Sequence, residues 1–223
     1  MEEAIFLSAS VPDPRRAPDF AATADTVAIA SAVSALLNVT LGRRLLVWGG
    51  HPAITPMIWV VAEDTGVEYE GWVRLYQSLH FENLFPEEID RFSNVTYTKD
   101  IDNDREKSLL HMREKMLSDF DFTAAVFIGG MQGILHEFEI VRKLQPETRL
   151  LPVASTGGAA LEVARHMRRF PPDLENELDY IALFHRHLEV SVNEMRFTRP
   201  EQQPERIEDR LYRFREGTAD TER

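Results

Sequence analysis

Short apolar runs alternate with stretches of helical periodicity along most of this chain. Residues 4–7, 45–48, 72–76, 95–98, 124–128 and 150–154 are apolar runs of strand length. Between them, apolar residues recur at spacings of three and four over 19–37, 56–64, 105–117, 134–144 and 159–169, which predicts helices. A further helix is expected over 178–192. Apolar strands separated by helices imply an α/β fold with a mainly parallel sheet, because each parallel strand needs a crossover that also covers its face.

Local signals sharpen some boundaries. Thr55 is placed to cap the second helix, Pro56 suits a first helical position, and Gly66 can close it in the left-handed conformation. The stretch 82–104 is polar and yields no element beyond its short strand. After Thr198 the chain is almost wholly charged or polar, with an exposed helix expected over 205–215 and a mobile tail beyond it. The organisation is therefore one domain over 1–198 and a charged C-terminal tail over 199–223, with no internal repeat.

Composition narrows the partners. A chain of 223 residues fits a single domain with a core large enough to fold alone. The net charge of −12 argues against nucleic acid or an anionic membrane as partner. A phosphate site would have to rest on backbone N–H groups and a few local cations. The chain has no cysteine, which excludes disulfides, thiol catalysis and Cys-ligated zinc. The first residues lack the basic segment of a signal peptide, and no apolar stretch approaches the roughly 20 residues of a membrane span. A cytoplasmic protein is expected.

The candidate chemistry lies in the loops after the strands. Four apolar strands are followed by small residues and then a helix: Ser8-Ala9-Ser10, Gly49-Gly50-His51-Pro52, Gly129-Gly130-Met131-Gln132-Gly133 and Ser155-Thr156-Gly157-Gly158. In a parallel sheet such loops share the carboxyl edge, where open α/β proteins bind ligands. Glycine lets a backbone approach a phosphate, and a helix N-terminus offers unpaired N–H donors. The hydroxyls of Ser8, Ser10, Thr55, Ser155 and Thr156 add further donors. Arg113 stands on or beside the apolar stripe formed by Leu109, Leu110, Met112, Met116 and Leu117, and Glu137 repeats the pattern among Ile134, Phe138, Val141 and Leu144. A guanidinium and a carboxylate directed inward near these loops suit phosphate and ribose binding, or acid–base work. His51 could donate to a phosphate or stack on a base. No His, Asp or Glu spacing reads as a metal site: His136 is isolated, His185 and His187 merely alternate, and the Asp100–Asp104 run lacks the glycine and glutamate of a calcium loop.

These motifs resemble those of the SLOG superfamily, which unites the lonely-guy cytokinin-activating phosphoribohydrolases with related nucleotide-binding domains of bacterial conflict systems. Met112-Arg113-Glu114-Lys115 is similar to the arginine-bearing Met-His-Glu-Arg-Lys motif of those enzymes, and the segment from Ile128 to Glu137 is similar to their Pro-Gly-Gly-x-Gly-Thr-x-x-Glu loop. Gly49-Gly50 and Ser8-Ala9-Ser10 resemble two earlier loops of the family, and the likeness extends over about residues 4–170. One extra residue stands between Gly130 and Gly133, Ile128 replaces the proline, and Ile134 replaces the threonine. These departures resemble the branch found beside defence effectors, as does the loop from Ser155 to Ala159.

The resemblance implies a Rossmann-like three-layer αβα sandwich. It implies a domain that binds an NAD-, ADP-ribose- or cyclic-nucleotide-type ligand as a signal sensor, with Ser8–Ser10, Gly49–His51, Thr55, Arg113, Gly129–Gly133, Glu137 and Ser155–Gly158 around it. It also implies a homodimer or higher oligomer, pairing through the Ala-rich helix from Phe20 to Leu37, with an effector protein as a further partner and no required cofactor. The alternative is a nucleotide N-glycosidic-bond hydrolase with Glu137 and Arg113 as its catalytic pair. A scaffold with a vestigial pocket is a third reading.

Overall fold

The computed structural model describes residues 4–85 and 94–212. Its strands are β1 (Ala4–Ser10), β2 (Leu45–Trp48), β3 (Val73–Ser78), β4 (Val95–Thr98), β5 (Phe122–Gly129) and β6 (Arg149–Val153). They form one sheet in the order β4-β3-β2-β1-β5-β6, and every pairing is parallel. The order reverses between β1 and β5, so the sheet has a topological switch point at that junction. The crevice beyond the carboxyl ends of these two strands is where open α/β sheets take ligands.

The helices are α1 (Pro18–Ala21), α2 (Thr26–Thr40), α3 (Thr55–Thr65), α4 (Tyr69–Trp72), α5 (Arg105–Ser118), α6 (Gln132–Leu144), α7 (Gly158–His166), α8 (Asp173–Asn176) and α9 (Tyr180–His187). Two apolar layers cover the sheet. Ile5, Leu7, Trp48 and Leu75 face α2, α3 and α9, while Phe6, Val47, Tyr76 and Phe127 face α5, α6 and α7. All seven residues of β1 are buried, which is why Ala4–Leu7 reads as a continuous apolar run rather than an alternating one. The architecture is the expected three-layer Rossmann-like sandwich.

Several boundaries differ from the sequence expectation, each for a local reason. The helix expected over 19–37 is two helices, because the Asp25 carboxylate accepts from the Val27 and Ala28 amides and starts α2 afresh. The intervening chain is tied to the loop after β6: Asp25 N donates to Thr156 O at 3.2 Å, and Gly158 N donates to Thr23 Oγ1 at 3.1 Å. Trp72 ends α4 instead of opening β3. Thr55 does not cap α3; Ile54 holds the cap position, and the Thr55 hydroxyl donates back to His51 O at 3.2 Å. Gly66 closes α3 in the left-handed conformation as expected. The helix expected over 178–192 is only the eight residues of α9, that over 159–169 ends at His166, and α6 begins two residues early. Leu110 and Leu144, assigned to buried stripes, are exposed.

Most of α2 is internal, with Ile29, Val33, Leu36 and Leu37 fully buried beneath neighbouring elements and Val27 exposed. The C-terminal segment is tied to the body as far as Tyr212. Glu68 N and Trp72 Nε1 donate to Thr198 O, Gln203 Nε2 donates to Arg43 O, and Glu194 bridges to Leu211. Glu194 is itself buried in an ion pair with Arg44 at 2.6 Å. Of the helix expected over 205–215, residues 207–210 form a 3-10 turn, and 213–223 lie outside the described residues.

Candidate functional site

The crevice at the switch point is built from β1, β5 and the start of α6. Register places Ser8 beside Phe127, Ala9 beside Ile128 and Ser10 beside Gly129, so the first-strand loop and the glycine loop emerge side by side. Gly130 takes φ +80, and a Cβ there would lie 2.0 Å from Ile134 Cδ1 and 3.1 Å from Ser10 Oγ. Only glycine turns the chain this tightly out of β5 and into α6. Met131 occupies the cap position of α6, and no side chain caps that helix. Ile134 N turns back onto Met131 O at 2.9 Å, while the Gln132 and Gly133 amides have no acceptor among the described residues and stay available to an anion. By contrast, α2 and α5 are capped by Asp25 and Asp104.

Arg113 and Glu137 meet at this helix start. Arg113 Nε donates to Glu137 Oε1 at 3.1 Å, and the Ser8 hydroxyl donates to Glu137 Oε2 at 2.5 Å. The two charged side chains are 10% and 15% exposed, so the pair is largely removed from water. The guanidinium lies directly over Gly133, where a Cβ would be 2.8 Å from Nη2. Only Nε of Arg113 is engaged; Nη1 and Nη2 have no partner among the described residues. Gly133 and Glu137 are one helical turn apart, so the residue added before Gly133 is absorbed in the loop and does not displace Glu137 from Arg113.

The loop after β6 serves this crevice from behind. The Thr156 hydroxyl is fully buried; it accepts from Gly129 N at 2.9 Å and donates to Val153 O at 2.6 Å. Ala159 N donates to Gly130 O at 3.0 Å, and a Cβ at Gly158 would lie 2.8 Å from that oxygen. A Cβ at Gly157 would lie 1.9 Å from Thr23 O. The polar groups of Thr156, Gly157 and Gly158 are thus engaged by the protein itself and hold the Gly129-Gly130 turn in place. Ser155 is half-buried, with its hydroxyl 3.2 Å from that of Tyr180. Gln132 is exposed, its amide 3.4 Å from His136 Nε2.

A second group lies at the ends of β2 and β3. Gly49 packs against Met112 and Met116 on the helix that carries Arg113, and Gly50 turns with φ +63. His51 Nδ1 accepts from Ala53 N at 3.2 Å. Its imidazole is held below the ordinary histidine pKa, first by burial and then by the nearby Arg16 guanidinium. Arg16 is exposed and has no ion-pair partner among the described residues. Gln77, at the end of β3, presses its amide against Gly50. Arg16 and Gln77 were not picked out in the sequence. Arg16 sits in a loop of no recognisable motif, and a glutamine ending a strand looks like any polar strand end until its neighbour is known.

A cavity of about 500 Å³ lies elsewhere, at the C-terminal ends of α6 and α7, lined by Phe138, Arg142, His166, Met167, Arg168 and Arg169. It shares no group with the crevice. Among the described residues, no cluster of three or more His, Asp or Glu is placed to hold a metal ion, and no helix is long and apolar enough to cross a membrane.

An all-parallel sheet with a glycine turn, an open helix start and an inward arginine at its switch point defines a Rossmann-like domain of the nucleotide-related kind. The SLOG cluster3 family matches residues 19–188, most of the chain, and the protein belongs to that family. None of the curated proteins matches the chain.

Proposed function

We propose that the protein binds an NAD-, ADP-ribose- or cyclic-nucleotide-type ligand in the β1/β5 crevice and acts as a nucleotide-signal sensor. The observation that carries this is Arg113: a nearly buried guanidinium with two free nitrogens at the uncapped start of α6. Desolvated, charge-assisted donors beside a helix N-terminus favour a phosphate oxygen strongly over water. Glu137 would repel phosphate were it alone. Bound to Ser8 and Arg113, it is neutralised on one side and keeps lone pairs for a ribose hydroxyl. The Ser8–Ser10 and Gly129–Gly133 loops would line the phosphates, while Gly50 and His51 would lie toward the remainder of the ligand. The resemblance to the branch beside defence effectors supports a role in bacterial anti-phage defence, with self-association or an effector protein passing on the signal.

The test is mass spectrometry of ligand released from protein purified from its own host, followed by calorimetry with NAD, ADP-ribose and cyclic nucleotides. A nucleotide that co-purifies and rebinds supports the reading. Protein that is ligand-free and indifferent to every one of these compounds overturns it. Light scattering with and without ligand tests self-association.

The Ser8–Glu137–Arg113 arrangement also favours a second reading, cleavage of an N-glycosidic bond. A carboxylate held in place by a hydroxyl and a guanidinium can stabilise a developing oxocarbenium ion or activate water. Chromatography of nucleotides after incubation with the protein separates the two: a sensor returns them intact, and a hydrolase releases free base.

A further inference from the structure

Gln77 carries a polar group for which the fold has no evident use. Its residue is 8% exposed, and its amide makes no hydrogen bond among the described residues. The amide atoms are not sealed in the core, so a side chain this nearly buried, with no partner in the protein, is left for an outside one. Nor is the side chain a casual space-filler. Its Nε2 occupies the position a Gly50 side chain would need, only 1.7 Å from an ideal Cβ. Gly50 thus clears room for the amide at the mouth of the loop after β2.

A second orphan lies beneath it. Trp48 Nε1 is buried without a partner. Trp48 pairs in register with Leu75, and both belong to the apolar layer under α2 and α3. Gln77 follows Leu75 by two residues in the same strand, so its side chain leaves the same face. Two groups without a partner in the protein, Trp48 Nε1 sealed in the core and the Gln77 amide at its rim, therefore stand on neighbouring strands at the carboxyl edge. Strand spacing places β3 about 10 Å from β1. Gln77 thus opens at the carboxyl edge on the α2/α3 side of the sheet and Arg113 on the α5/α6 side, so a ligand held by both lies across the edge.

We infer that Gln77 is a specificity residue of the crevice, and that its carboxamide reads the hydrogen-bonding edge of a nucleobase. A carboxamide presents an acceptor and a donor side by side, the complement of the paired donor and acceptor on a base edge. The inference rests on the nucleotide-binding reading above. It adds the base as the part of the ligand being recognised, and a residue to recognise it.

The experiment compares AMP with ribose 5-phosphate, which share a phosphate and sugar and differ by the base. Affinities are measured by calorimetry up to millimolar concentration on the full chain and on Gln77→Met and Gln77→Leu, with thermal melts to verify folding. The wild-type chain is expected to prefer AMP, and the variants to lose about tenfold in AMP affinity while ribose 5-phosphate changes less than about twofold. Because the amide makes no hydrogen bond within the protein, the melting temperatures of the variants are expected to hold. Unchanged AMP affinity in a folded variant overturns the assignment of Gln77 and leaves the crevice reading intact. Equal loss of both compounds also overturns it, since the effect then lies with the phosphate or sugar. A wild type with no preference for AMP over ribose 5-phosphate overturns this inference alone; the nucleotide reading fails with it only if NAD, ADP-ribose and cyclic nucleotides also do not bind.

Discussion

Glu137 Oε1 and Arg113 Nε are 3.1 Å apart, joined across two helices at the start of α6, and the other carboxylate oxygen is held by Ser8 at 2.5 Å. Neither partner is near the other in sequence, and neither is solvated enough to be an ordinary surface pair. Glu137→Gln keeps the shape but removes the charge that balances Arg113. Its expected cost is about 1–3 kcal/mol of stability. In a sensor, nucleotide affinity should shift by no more than about tenfold; in a hydrolase, turnover should vanish while affinity stays. Arg113→Ala should weaken any phosphate-bearing ligand in both cases. Calorimetry, turnover and melts on these two proteins decide the matter: stability losses with unaltered ligand behaviour would assign the pair to the scaffold alone.

Thr156 is expected to matter to the site without touching ligand. Thr156→Val keeps the volume and deletes the hydroxyl that receives Gly129 N and donates to Val153 O. It leaves a buried amide and a buried carbonyl short of a partner, at about 1–3 kcal/mol. The glycine turn should then loosen. Hydrogen exchange should report faster opening at Gly129 and Gly130, and ligand affinity should fall. A variant as stable as the parent, with the same exchange rates, would remove Thr156 from this role.

His51 should make stability depend on pH in a known direction. Its pKa is depressed below the ordinary 6.5 by burial and then by Arg16. As pH falls, the unfolded chain takes up the proton first, so the contribution is complete above about pH 6.5 and declines below it, toward the folded pKa. Thermal melts at about pH 7.5 and pH 5.5 are expected to differ less for His51→Asn than for the parent. Equal pH dependence in the two proteins would contradict the assignment.

The C-terminal segment is expected to be integral to the fold. Glu194→Gln breaks a buried ion pair with Arg44 and should cost about 3–5 kcal/mol. Truncation after Thr198 removes the Gln203 contact to Arg43 and the Leu211 bridge, and should also lower the melting temperature. A truncated chain that melts with the full one would return this segment to the status of a tail.

Much of the architecture was legible because it depends on local patterns. An apolar run as short as 124–128, closed by a glycine pair, reads as a strand buried on both faces and turning into a helix. Alternation of such units leaves a parallel sheet as the economical solution. The inward placement of Arg113 and Glu137 was also readable, since each interrupts an apolar stripe at helical spacing. Asp25 and Asp104 have the chemistry of helix caps and cap α2 and α5, and Asp25 splits a helix that periodicity alone joins.

What the tertiary structure decided was pairing. Strand order places β1 beside β5 and so creates the crevice, and no local pattern specifies which strands become neighbours. Whether an N–H is free or already engaged depends on atoms far away in sequence. The loop from Ser155 to Gly158 has the residues of an anion cradle, yet its groups meet Thr23, Gly129 and Gly130. The start of α6 has no such neighbours and remains open. For the same reason Gln77 became visible only once Gly50 was beside it. Sequence determines which groups could bind; long-range packing determines which of them the protein has not already satisfied.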